Sequence, residues 1–323
     1  MKEKANRALR ENQCGFRKGR GCTDHLFSLR ILMEKAREFH APLYMCFVDL
    51  KKAYDSVNRK ALWSVLQKRY HFPTKVVRIL EALHQGTTGA VRAYGRVSGE
   101  FPIANGVRQG DVLTPTLFNL FLDSVICMAL RKHPANGLTV LFNPAADLVG
   151  CRKLMHHRTQ IPDLDYADDM CLVSDSMDKL EEMLMDMDES CSEMGLTISA
   201  RKTKIMAVLP TPQAGQQQEQ PRQVQLQRTD DTVDVVEEFE YLGSTVASDC
   251  GLDKEVSAQI RKASSSFRSL SRVLLYQKKI KTETKMRMFK AAIIPTLMYG
   301  SEAWAPLAHQ GKRLQSFVMR CLR

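Results

Sequence analysis

The chain has 323 residues, 44% of them hydrophobic, and its 47 Lys+Arg against 36 Asp+Glu leave a net charge of +11. That length allows two or three structural units with sizeable cores, and that composition excludes wholesale disorder. No apolar run reaches the ~18–20 residues of a membrane span, so no membrane partner is expected. The excess charge is uneven. Leu252–Arg323 holds 15 basic and 4 acidic residues, and the rest of the chain is neutral. A basic tail on a neutral body suits a polyanion such as nucleic acid, or a soluble basic surface. Nine scattered cysteines include no CxxC pair, and the first residues are charged. Reduced thiols in an intracellular protein are expected, nuclear or cytoplasmic alike. Cys151 with His156 and His157 offers a single thiolate, too little for a zinc site.

In chain order, the apolar spacing of Leu26, Leu29 and Met33 predicts a helix over Arg20–Glu38. Leu43–Val48 reads as a buried strand ending at Asp49. Ser56 or Asp55 would cap a helix over Arg59–Tyr70, and Pro73 opens another through Leu83. Val91–Ile103 alternates in polarity around Gly95 and Gly99, the pattern of a hairpin. Pro115 opens a strongly apolar helix to Arg131. Asn136–Gln160 is irregular and rich in turn residues. Leu164–Ser174 reads as two short strands around a tight turn. Met177–Met194 is an acidic, Met-rich helix closed by Gly195. Leu196–Ser199 and Ile205–Leu209 read as short strands, and Pro210–Gln227 as a flexible Gln-rich loop. Strand character resumes at Phe239–Val246. Basic helices follow at Lys254–Leu275 and Thr282–Tyr299. Mixed elements without regular βα alternation favour α+β.

Two acidic sites stand out. Asp49 ends an apolar strand, where a carboxylate is costly unless solvated or bound, although it could also cap the next helix. Asp168 and Asp169 lie side by side at the turn of an apolar hairpin. Such pairs are common in turns, but their repulsion would also be relieved by a divalent cation, and hard oxygens suit Mg²⁺. Asn105–Pro115 is a polar turn feeding an apolar helix, with Gly106 and Gly110 leaving room for close approach of a nucleotide or template base.

Together, in this order, these segments resemble reverse transcriptases, above all those of non-LTR (LINE-type, RTE-like) retrotransposons. Gln13-Cys14-Gly15-Phe16-Arg17-Lys18-Gly19-Arg20 through Asp24 is similar to the family's fingers segment Q-x-G-F-R-x-G-R. Asp49–Asp55 resembles its first metal-binding motif, Arg108-Gln109-Gly110-Asp111 its R-Q-G-D/C motif, and Tyr166-Ala167-Asp168-Asp169 its YADD box. Gly195–Lys204 resembles the motif that follows, and Tyr241-Leu242-Gly243 the primer-grip hairpin. Three features depart from the pattern. Val112-Leu113-Thr114-Pro115 replaces P-L-S-P, Ala200-Arg201 precede Lys202-Thr203 where an asparagine is usual, and Met1–Arg10 hold no R-G/P-I-S-L motif. The resemblance therefore implies a fragment without that first fingers segment and without an endonuclease domain.

The resemblance implies an α+β right-hand polymerase fold with an antiparallel palm sheet. It would comprise partial fingers (1–40), a palm (41–209), the Gln-rich loop (210–231), a primer-grip-like hairpin (232–250) and a basic helical thumb (251–323). It implies an RNA-directed DNA polymerase that adds dNTPs to a primer 3′-OH with two Mg²⁺ ions, Mn²⁺ being an alternative. The partners would be an RNA template, a DNA primer or RNA–DNA hybrid, and dNTPs. Asp49, the Leu50 carbonyl, Asp168 and Asp169 would hold the metals. Tyr54 would exclude a ribose 2′-OH, or be an ordinary core tyrosine. Gln109 and Gly110 would line the nucleotide and template pocket. Lys202 would protonate the leaving pyrophosphate, or be a solvated lysine. Arg17 and Arg20 would touch template phosphates, or be surface cations, and Tyr241, Leu242 and Gly243 would grip the primer. The rival expectations are an inactive remnant that still binds RNA or hybrid, and a metal-dependent nuclease. No water-positioning base stands at a spacing that favours the nuclease.

Overall fold

The computed structural model describes residues 2–142, 157–210 and 219–323. The chain divides into two units. The first comprises 1–21, 42–205 and 212–235, and the second 22–41, 206–211 and 236–323.

In the first unit Leu43–Val48 is buried along its whole length, as a strand with packing on both faces must be. It pairs antiparallel with Asp169–Ser174, in the register Tyr44↔Ser174 to Val48↔Met170. Asp163–Tyr166 adds to the far side of that strand through Tyr166↔Asp169, which leaves Ala167 and Asp168 as a two-residue turn. Among the described residues the full sheet has six strands. From one edge they are Val224–Gln225, Thr232–Val235, Lys204–Val208, Leu43–Val48, Asp169–Ser174 and Asp163–Tyr166. Two long helices belong to the same core, and Met177–Glu193 packs against the strands Leu43–Val48 and Asp169–Ser174. Thr114–Leu130 is apolar nearly all round and buries Leu117, Phe118, Leu120, Phe121, Leu122, Val125 and Ile126, as a helix enclosed on every side should. Met177–Glu193 packs beside it with the stripe Leu180, Met183, Leu184, Met187 and Cys191.

The second unit holds the helix Cys22–Glu38 and the hairpin Glu238–Tyr241/Ser244–Ala247. Its remaining helices include Asp253–Leu270 and Ala308–Leu322. Ala263, Phe289, Ile293, Leu297 and Phe317 form a buried core there.

Several expectations need correction. The sheet is mixed, because Lys204–Val208 runs parallel to Thr232–Val235. Val224–Gln225, expected inside a flexible loop, forms an edge strand. Val224 and Leu226 are buried and alternate with Gln223 and Gln225, a period-two pattern masked by the glutamine content. Residues 211–218 of that loop lie outside the described residues, as do Cys151 and His156. The backbone of Leu138–Phe142 pairs with His157–Ile161 where irregular chain was expected. Leu196–Ser199 contributes one bridge, Ile198 to Leu50, rather than a strand. The cap of the helix Arg59–Lys68 is Asn58, whose Oδ1 accepts the Ala61 N–H at 3.1 Å, and Ser56 and Asp55 belong to a separate turn of helix, Ala53–Ser56. The expected helix Thr282–Tyr299 is broken into Thr282–Met288, a π-helical turn Phe289–Ile293, and Ile294–Leu297. Pro295 has no N–H to donate, and a widened turn just before it absorbs the missing bond. The helix expected to run to Leu275 is α-helical only to Leu270 and ends in a second π-helical turn.

Candidate active site

Asp49 follows the last residue of the central strand. Its N–H donates to the Thr203 hydroxyl (3.2 Å) and its carbonyl accepts the Ser199 N–H (2.8 Å), so the segment after the Met-rich helix fixes the strand end. The Asp49 Oδ1 atom is shielded from solvent and has no well-formed hydrogen bond. The Lys202 ammonium stands 3.3 Å from Oδ1 and 3.4 Å from Oδ2 on an otherwise exposed side chain. Leu50 is buried, tied by the bridge to Ile198.

Asp168 and Asp169 sit on the neighbouring hairpin. Ala167 has φ of +57°, and Asp168 is not left-handed, the sign pattern of a type II′ turn. Glycine is usual at that first position, and an L-residue there costs ~1–2 kcal/mol. Burial pushes the Asp168 carboxyl up and the Asp49 charge adds to it, while a backbone bond and Lys202 pull it down. Asp169 still reaches solvent, yet the protein around it, then Asp168 and Asp49, push it up to about 6. Three carboxylates therefore share one electrostatic neighbourhood. Neighbouring hard oxygens whose charges disfavour ionisation of Asp168 and Asp169, and an inward Asp49 oxygen without a proper donor, fit a divalent cation. They are not gathered in advance, since among the described residues no three His, Cys, Asp or Glu side chains converge closely enough to form a metal-binding group.

Tyr54 stacks on Phe118 with ring centroids 4.3 Å apart and planes at 23°. Burial, then Asp168 and Asp169, push its hydroxyl up to about 12, so it is a neutral phenol at the carboxylates' edge. The Val107 N–H donates to the Tyr54 carbonyl and the Gly106 N–H to the Val57 carbonyl, both 2.9 Å. Gly106 is required there, because its φ is +83° and a Cβ would lie 2.8 Å from Asp55 Cα. These bonds bring Gln109 alongside the Asp49–Asp55 segment, at the rim of an open cavity lined also by Asp55, Arg59, Thr87, Asn105 and Arg108. Arg59 holds the cavity wall, donating to the carbonyls of Gly106, His84 and Ile103. Gly110, at φ +91°, is exposed beyond it.

Other expected residues take different places. Arg17 is nearly buried and spends its donors on the carbonyls of Arg10, Gln13 and Asn6 and on the Asn6 side chain. No donor group is left idle for a template phosphate. Arg20 pairs with Glu11. Tyr241, Leu242 and Gly243 lie in the second unit. The Tyr241 ring is buried, with its hydroxyl 3.0 Å from His25 Nε2. Leu242 and Gly243 make a turn with both φ positive, and Tyr299 donates to the Leu242 carbonyl at 2.8 Å.

Sequence reading missed the support beneath the turn. Arg10 donates from Nε to Asp123 (2.8 Å), from Nη1 to Asp163 (2.6 Å) and from Nη2 to Asp165 (2.7 Å), all three carboxylates being fully buried. The Tyr70 hydroxyl also donates to Asp123. Burial, then Asp163, push the Asp165 carboxyl well up, against the pull of Arg10. The signal was present, because Asp123 lies in the run Leu120-Phe121-Leu122-Asp123-Ser124-Val125 and an unpaired charge is not tolerated there.

Residues 1–246 match the family model described as reverse transcriptase (RNA-dependent DNA polymerase). A Pol polyprotein of the type-1 retrotransposable element R2 from Nasonia vitripennis is 27% identical over 191 residues, covering 59% of this chain and 17% of that one. Another, from R2 of Popillia japonica, is 24% identical over 322 residues, covering 97% of this chain and 41% of that one. The chain thus spans less than half the length of either relative. A solved structure of telomerase from Candida albicans, in complex with a TWJ fragment of telomeric RNA, matches with a TM-score of 0.53 at 9% identity, covering 99% of this chain and 55% of that one. That likeness concerns the fold alone, and it agrees with a polymerase fold. Matched by the family model over most of its length and aligned with polyproteins of non-LTR retrotransposons, the chain belongs to the reverse transcriptase (RNA-dependent DNA polymerase) family.

Proposed function

We propose that this chain carries RNA-directed DNA polymerase activity, adding dNTPs to a primer 3′-OH paired with an RNA template. The observation that carries the reading is the meeting of Asp49 with Asp168 and Asp169 at the ends of adjacent antiparallel strands, close enough that the Asp49 charge raises the pKa of both and Asp168 that of Asp169. Three neighbouring carboxylates beside a neutral tyrosine are well suited to holding cations. Two Mg²⁺ ions, with Mn²⁺ as substitute, would supply the charge that stabilises an attacking hydroxyl and a leaving phosphate in line.

The chain's own residues have separate tasks. Asp49, the Leu50 carbonyl, Asp168 and Asp169 are the metal-holding groups, with Asp169 accessory. Tyr54, fixed by its stack on Phe118, stands where a ribose 2′-OH would crowd it and so selects dNTPs. Gln109 and Gly110 shape the pocket for the nucleotide and the template base. Lys202 neutralises Asp49 while that carboxylate has no other counter-charge. Once Asp49 is engaged elsewhere the ammonium is released, and it can give a proton to the departing pyrophosphate. Arg20 and the turn of Leu242 and Gly243 are the remaining candidates for template and primer contact, with Tyr241 supporting that turn from below. The basic 251–323 region would follow the duplex backbone, with affinity that falls as salt rises.

The test is extension of a DNA primer on an RNA template in Mg²⁺, comparing the unaltered chain with Asp168→Ala. Extension by the unaltered chain alone supports the reading. Equal extension by both, or by neither, overturns it.

A further inference from the structure

We propose that Gln13 is the positioning residue of the Tyr166–Asp169 turn: its carboxamide grips the backbone of Ala167 and so sets where the Asp168 carboxylate stands. The inference deepens the polymerase reading and rests on it only for the meaning of Asp168.

Gln13 is fully buried. Its Oε1 accepts two backbone N–H groups, those of Gly15 and Ala167, each at 2.8 Å. Its Nε2 donates to the Ala167 carbonyl at 3.2 Å. Both backbone polar groups of Ala167 are therefore taken by one side chain. In a two-residue hairpin turn these are the groups the strand ladder cannot reach, and Ala167 itself is buried away from water. The turn is held in a left-handed conformation that alanine disfavours, so something outside the hairpin must hold it.

The clamp is itself fixed. The Cys14 N–H donates to the Asp165 carbonyl (2.8 Å) and the Asp165 N–H to the Asn12 carbonyl (3.1 Å), which lays residues 12–14 along the strand before the turn. Arg17 binds the Gln13 carbonyl at 3.0 Å, and the Asn119 amide binds the Gly15 carbonyl at 2.6 Å. Gly15 allows the close approach, because a Cβ there would stand 2.2 Å from the Ala167 nitrogen. A carboxamide offers an acceptor and a donor from one planar group at this reach without needing a particular protonation state. A buried amide with its polar atoms matched to one residue's N–H and C=O is a specific geometric device, since a residue that only filled space would need neither atom.

The first measurement uses the unaltered chain. Hydrogen exchange should find the Ala167 amide slowed ~100-fold or more against an open loop, because it is bonded and buried. Exchange at open-loop rates overturns the proposal. The second compares Gln13→Met and Gln13→Glu, with folding checked by near-UV circular dichroism and Mn²⁺ binding followed by electron paramagnetic resonance. Loss of a group that orients a metal ligand weakens metal affinity ~10–100-fold, so Gln13→Met should fall in that range with faster exchange at Ala167. Gln13→Glu keeps the acceptor and should lose less. Mn²⁺ affinity and exchange unchanged in a folded Gln13→Met overturn the proposal. Should Gln13→Met not fold, Gln13→Glu and the exchange of the unaltered chain decide. A protected Ala167 amide in a chain that extends no primer would refute the polymerase reading and leave the clamp in place.

Discussion

Replacing Arg10 with methionine should destabilise the first unit, and more so at pH 8 than at pH 5.5. The guanidinium is the shared counter-charge of Asp123, Asp163 and Asp165, each fully buried and bonded to it at 2.6–2.8 Å. Removing one partner from a buried ion pair costs ~3–5 kcal/mol, because the other charge stays behind. A carboxyl whose folded pKa is raised takes up a proton on folding. Its stabilising effect is present at low pH and is lost as pH rises through the raised value. Asp165 already behaves this way. In the variant the other two carboxylates lose their counter-charge, and each additional proton taken up on folding steepens the loss by ~1.4 kcal/mol per pH unit. Two tryptophans make the assay local, since Trp63 is in the first unit and Trp304 in the second. Urea unfolding followed by Trp63 fluorescence in a Trp304→Phe background reports the right unit. A loss below ~1 kcal/mol at pH 8, the value of an exposed pair, would refute the buried-network argument. So would an equal loss at both pH values.

Three further outcomes are expected. Tyr54→Ala should raise the efficiency of ribonucleotide relative to deoxyribonucleotide incorporation ~100-fold, whereas Tyr54→Phe keeps the ring and the discrimination; an unchanged ratio in competition assays would count against the steric role. Gly106→Ala adds a left-handed alanine and a 2.8 Å clash with Asp55 Cα; it should cost ~2 kcal/mol or more in denaturant unfolding, and an effect under ~0.5 kcal/mol would refute the close packing of the two segments. With folded carboxyls raised, Asp169 to about 6, the metal-free protein loses stability as pH rises from the usual carboxylate range through that value. Added Mg²⁺ should therefore raise the melting temperature more at pH 7.5 than at pH 5, and an equal rise would show that these carboxylates do not bind it.

The site was legible where chemistry needs a residue type in a short local frame. Asp49 at the end of Leu43–Val48 and the Asp168–Asp169 turn declare themselves, because carboxylates in apolar strands must be explained. Gly106 was legible for the same kind of reason, as close approach without a Cβ. The internal bonding of Arg17 was not legible because sequence gives an arginine's charge and not its burial, and five donors on one guanidinium suit internal carbonyls as well as a phosphate. The Gln13 clamp and the Arg10 network were hidden because their partners lie 113 to 155 residues away. The Gln-rich segment misled through composition, which outweighed the alternation of Val224 and Leu226. The break at Pro295 could have been read from the proline, but not the π-helical turn that accommodates it.

The span between Gln13 and Ala167, 154 residues, also fixes when the site can exist during synthesis. At ribosomal rates of ~5–20 residues per second, the segment that braces the turn emerges ~8–30 s before the turn it holds. Until then Gln13 lacks Ala167 and Arg10 lacks Asp163 and Asp165, and only earlier partners such as Asp123 and Asn119 on the Thr114–Leu130 helix can hold the segment. The Tyr166–Asp169 turn meets its brace only when the hairpin arrives, as a contact of high sequence separation that the chain forms late and at an entropic cost. A nascent chain halted before residue 163 would hold Asp49 and the whole glycine-bearing pocket, yet neither Asp168 nor Asp169.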